Sequence, residues 1–150
     1  MSLSMRNLLI ILALVAVPSI AAALYLGQTK TAGGLTAYIG MMPSEIVKGH
    51  APSHPEAQAH GGAPRGVHEY HLVVALFDAA SGARIGDAKV AARVSSLGLA
   101  GPRKVLEPMQ IADTTTYGNY FDLPGKGSYR IDVEVERPQG VVRLEFAYDH

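Results

Sequence analysis

The chain has 150 residues, 13 Lys and Arg against 13 Asp and Glu, and no cysteine. That length fits one domain, and the level charge argues against a nucleic-acid binder, which would carry a basic surplus. Without cysteine there is no disulfide, no thiolate metal site, no iron–sulfur cluster and no Cys nucleophile.

Residues 8–26 read LLIILALVAVPSIAAALYL, with Arg6 ahead and no charge inside. A positive start, an apolar run and the small residues Ala21, Ala22 and Ala23 make residues 1–26 a signal peptide. The same run is close to the ~20 residues that span a bilayer, so an uncleaved N-terminal membrane anchor is the competing reading. Both place the rest of the chain outside the cytoplasm, with the bacterial periplasm as the expected site. The exported part must then hold itself together by core burial, since it has no disulfide.

Residues 27–34 (GQTKTAGG) read as a tether, and residues 35–47 as extended, with Pro43 at an edge or a bend. Residues 49–67 hold three Pro, four Gly and little that is bulky and apolar. They predict a long His/Pro/Gly-rich loop of the kind that is functional or disordered. From residue 69 the hydrophobic period becomes two. Tyr70, Leu72, Val74 and Leu76 line one face of a strand; His71, Val73, Ala75 and Phe77 line the other. Further strands follow over AKVAARVSS, Lys104–Met109 and Thr114–Leu123, the last rich in β-branched and aromatic residues. Tyr129, Ile131, Val133 and Val135 alternate with charged residues, and Val142, Leu144, Phe146 and Tyr148 repeat the pattern. About seven strands with short turns and no helix predict that residues 35–150 form an all-β fold, an immunoglobulin-like antiparallel β-sandwich. The absence of the Cys pair and the Trp excludes an antibody-type domain only.

The run LVVALFDAASGARIGDAKVAARV, followed by TTYGNYFDLPGKGSYRIDVEVERP, resembles the YtkA-like and FixH-like periplasmic domains. The likeness is carried by Asp78, Ser81, Gly82, Ile85, Asp87, Ala88 and Val90, then by Tyr117, Gly118, Tyr120, Leu123, Pro124, Gly127, Tyr129, Ile131 and Val133. It spans about residues 69–148 and consists of turns and core positions. The resemblance implies a small exported or membrane-tethered sandwich, often linked to copper handling at the cell envelope, and similar sandwiches include the CopC-type copper carriers. The Met-rich stretch of the YtkA-like pattern is missing, since residues 95–102 read SSLGLAGP. The resemblance therefore transfers no ligands.

Five of the six His lie between residues 50 and 71: His50, His54, His60, His68 and His71; the sixth is His150. Met41 and Met42 lie just before them. Imidazole with thioether is a copper donor set, thioether favouring Cu(I). Counting antiparallel strands puts the start of the 69–79 strand, the end of the 35–42 strand and the chain end at one pole. His68, His71, His150, Met41 and Met42 are then expected to gather there under the loop that carries His50, His54 and His60. By the same count Met109 falls at the opposite pole and reads as packing. The expected cargo is a transition metal ion, copper first.

The bland alternatives are a solvated loop for the His cluster, a half-buried strand residue for His71, and core packing for Met41 and Met42. No G-x-S-x-G, H-E-x-x-H, P-loop or G-x-G-x-x-G pattern occurs, and Asp132, Glu134 and Glu136 read as a solvated strand face. The chain is therefore expected not to be an enzyme. A reading from another class is a metal-free envelope interaction module, in which Tyr117, Tyr120, Phe146 and Tyr148 or a sheet edge would dock a protein partner.

Overall fold

The computed structural model describes residues 28–49, 58, 61, 62, 64 and 66–150. The leader, His50, His54 and His60 lie outside the described residues. Eight strands and one short helix follow in chain order. They are β1 (Gln28–Ala32), β2 (Leu35–Pro43), α1 (Ser44–Lys48), β3 (Glu69–Asp78) and β4 (Lys89–Ser96), then β5 (Arg103–Ile111), β6 (Thr114–Asp122), β7 (Ser128–Arg137) and β8 (Gly140–Asp149). Every pairing is antiparallel, in the order β1-β2-β3-β6-β5-β4-β7-β8. The fold is the expected all-β sandwich.

Two sheets share one strand. β5 pairs with β4 through Arg103–Leu106 and with β6 through Glu107–Ile111. At the far edges β1 comes up against β8, where the Gln28 amide donates to the Ala147 carbonyl and the Lys30 ammonium lies 5.7 Å from the Phe146 ring centre. The sandwich is thus nearly a closed barrel, with side chains rather than a ladder at its seam.

The alternation read in the sequence decides what is inside. Tyr70, Leu72, Val74 and Leu76 of β3 meet Tyr129, Ile131, Val133 and Val135 of β7 and Leu144 and Phe146 of β8 in one core. Leu72, Ile131 and Phe146 are wholly shut off from solvent, which is where apolar burial stabilises most. Tyr117 also sits in this core, and its hydroxyl accepts a hydrogen bond from the Ala88 N–H at 3.1 Å. Burial pushes that phenol up, with the Ala88 bond acting against it. Tyr117→Phe is expected to cost about 1 kcal/mol by stranding the Ala88 N–H. Urea unfolding measures it, and an unchanged midpoint would deny the bond any weight.

Two elements differ from the sequence reading. Residues 28–32, read as tether, form β1, because Gly33 and Gly34 at φ +53° and +76° make the two-residue hairpin turn that folds them back on β2. Residues 44–48 make one helical turn directly after Pro43, where only an extended chain was expected.

Candidate metal centre

Side chains alternate across a strand, so β3 sends Tyr70 and His71 to opposite sides of its sheet. Tyr70 faces the core. His71 faces outward, yet it is fully buried. Tyr120, its partner in register on β6, stacks on the imidazole at 4.6 Å between ring centres and 23° between planes. Met42, its partner on β2, stands directly opposite on the other side; side chains in such pairs start about 5 Å apart. Met42, His71 and Tyr120 therefore form one row across the sheet.

A second donor reaches this row from β5. A methyl group on Gly118 of β6 would fall 2.7 Å from Met109 Cε, 2.8 Å from His71 Nε2 and 3.0 Å from the Leu72 carbonyl oxygen. The methyl end of Met109 and the imidazole nitrogen crowd the same point, and the missing Cβ leaves them room to do so. Met109 is buried, at 6% exposure, and lies outside the main core cluster. It is not at the far pole, as the strand count had it. β5 runs on to Ile111, and Met109 pairs with Thr116 inside the ladder, so its long side chain reaches the mid-sheet position of Gly118.

The other expected ligands go elsewhere. His68 is exposed, and its carbonyl accepts a hydrogen bond from the Leu123 N–H at 2.8 Å. Met41 packs against the main core. His150 is on the core side of the sheet, among Tyr70, Tyr148 and Tyr129, at ring-centre distances of 4.7, 6.3 and 6.4 Å. Burial raises the Tyr70 phenol, and the Glu45 charge adds to that; burial raises Tyr148 as well. His71 and His150 thus share a pole but are divided by the sheet. Among the described residues no three His, Asp or Glu side chains cluster as a metal site. Glu134, read as a solvated face, is held by Arg103 at 2.9 Å and Arg143 at 3.0 Å, and the Arg103 hydrogen bond is the main reason its carboxyl lies below the usual range.

The candidate donors are therefore the His71 imidazole and the Met109 side chain, whose Nε2 and Cε lie within 3 Å of a common point, with Met42 paired opposite His71 on β2. Nitrogen with two sulfurs is a soft set, which suits Cu(I) over hard, oxygen-seeking cations. Met42 and His71 were candidates from residue type; the sequence reading set them beside His68 and His150. It missed Met109, Gly118 and Tyr120, because their roles depend on which strands become neighbours.

No family model and no curated protein matches the chain. The likeness to the YtkA-like and FixH-like domains is thus not shown by a family match. Solved structures share the fold at low identity. A DUF4426 family protein from Pseudomonas aeruginosa PAO1 is 15% identical at a TM-score of 0.63, over 83% of this chain and 94% of that one. A copper-bound variant of FetP from uropathogenic Escherichia coli strain F11 is 14% identical at 0.61, over 84% and 95%. A copper-bound variant of Campylobacter jejuni P19 is 13% identical at 0.63, over 84% and 96%. FetP was also solved after recombinant expression in the periplasm. The chain thus has the fold of proteins that have been crystallised with copper.

Proposed function

We propose that this chain is an exported copper-binding protein, not an enzyme, that carries the metal as cargo on His71 and Met109, with Met42 as the donor nearest the surface. The observation that carries this reading is the convergence of His71 Nε2 and Met109 Cε on Gly118. The apolar leader and the copper-bound FetP and P19 neighbours support it from outside the site. Met42 is half-buried while His71 and Met109 are shut in, so an ion entering from solvent meets a thioether first. The His71 imidazole can bind metal only when its nitrogen is unprotonated, so a proton competes with the ion there, whereas thioethers do not titrate.

A Cu(I) competition titration of the full chain tests this. Met109→Leu keeps the volume and removes the sulfur, and is expected to weaken binding about tenfold, or about 1.4 kcal/mol. Lowering the pH should weaken the wild-type protein as well. Binding that is unmoved by both changes would place the metal elsewhere, and absence of binding by the wild type would end the reading.

A further inference from the structure

We propose that Lys104 is a positioning residue of the metal site, holding the Tyr120 ring that sets the plane of the His71 imidazole; this rests on the reading of His71 as a ligand. β5 and β6 pair only from Glu107, opposite Gly118, to Ile111, opposite Thr114. Before Glu107, β5 belongs to the other sheet and pairs with β4 through Arg103–Leu106, while residues 119–122 of β6 stay on β3. The two sheets therefore part beside Tyr120, and the β6 edge there has no ladder partner among the described residues.

Two side chains take the place of the ladder. The Lys104 ammonium donates to the Tyr120 carbonyl at 2.7 Å. The Asn119 side chain accepts from the Tyr120 N–H at 2.7 Å and donates to the Val105 carbonyl at 2.8 Å. Lys104 is opposite the buried Ala92 in register, so it stands on the core side of β5, with its ammonium 5.3 Å from the Phe121 ring centre. A ring face favours a cation there, which fixes where the donor sits.

Both backbone groups of Tyr120 thus point away from β3. His71 and Tyr120 are then a pair without mutual ladder bonds, the kind whose side chains stand closest, and their rings stack at 4.6 Å and 23°. Of the two links from Tyr120 to β5, the Lys104 bond is charge-assisted and the stronger. β5 also carries Met109, so the same link ties the wall behind His71 to the strand of the second donor.

The sign of the effect separates this role from simple charge. An ammonium repels a metal ion, so its removal by charge alone would tighten binding. Loss of an orienting group does the reverse and weakens metal binding by about 10–100-fold.

Full-length Lys104→Met keeps an unbranched stem over Phe121 and removes the donor; Lys104→Arg keeps both charge and donor. Cu(I) competition is expected to show about a tenfold loss for Lys104→Met and wild-type affinity for Lys104→Arg. In the metal-free proteins the His71 ring protons are identified by their loss in His71→Gln. They should lose in Lys104→Met the upfield NMR shift that a stacked ring imposes, and keep it in Lys104→Arg. In a Tyr120→Leu background, Lys104→Met should cost no further affinity, because the ring through which it acts is gone. Lys104 is half-buried, so water can replace its ammonium in a folded Lys104→Met; the amide spectrum of the same samples shows the fold, and Lys104→Gln takes its place if that variant does not fold. Unchanged or tightened Cu(I) affinity in the variant, an unmoved His71 signal, or additive losses in the double variant each overturn the proposal and leave the metal reading standing. A wild type that binds no Cu(I) overturns both.

Discussion

Gly101→Ala is expected to lower stability by about 3 kcal/mol, a fall of roughly 10 °C in Tm for a domain of this size. A Cβ at Gly101 would lie 1.6 Å from the Val94 carbonyl oxygen and 2.7 Å from its carbon. The obstacle is backbone, not the end of a flexible side chain, so relief requires the hairpin to leave β4. That movement breaks the Arg93 and Ser95 bonds to Gly101. A thermal melt is the first measurement. An unchanged Tm would mean that the loop between β4 and β5 has slack which the packing denies.

Gly118→Ala is expected to act on the metal more than on the fold, with about a hundredfold loss of Cu(I) affinity. The added methyl meets the methyl end of Met109, which can turn away, and Nε2 of His71, which cannot move far between Met42 and Tyr120. Displacing either atom opens the donor pair, and the stability cost is about 1–2 kcal/mol, as for modest overpacking. Cu(I) competition and urea unfolding on the same preparation separate the two effects. Full affinity with lowered stability would mean that Gly118 matters to packing alone, and that His71 and Met109 are neighbours without a shared ion.

How far the sequence discloses this molecule depends on the range of the signal. Period-two alternation is local, and Tyr129, Ile131, Val133 and Val135 are buried as it requires. β1 was invisible because QTKTA is polar and edge-bound; what makes it a strand is the two-glycine turn and the sheet it joins. β5 gave a blurred signal because its two buried residues face opposite sides, Leu106 toward the core and Met109 toward the outer face that carries His71. The candidate site was legible in residue type but not in membership. Strand direction brings His68, His71 and His150 to one end. The odd–even rule on β3 then parts His71 from Tyr70, and so from His150. Met42 and Tyr120 beside His71, and Met109 beside Gly118, follow from cross-strand register, which pairs His71 with a residue 49 positions away and leaves no trace in a single chain.

Because β5 hydrogen-bonds into both sheets, the sandwich cannot open like the leaves of a book; β5 is the spine. Met109 lies on that spine, and His71 on a central strand with only β6 between. Their spacing is set by continuous ladders and not by loops. An ion arriving there would meet a mould of fixed dimensions, in which size and softness, rather than any closing motion, decide what is kept.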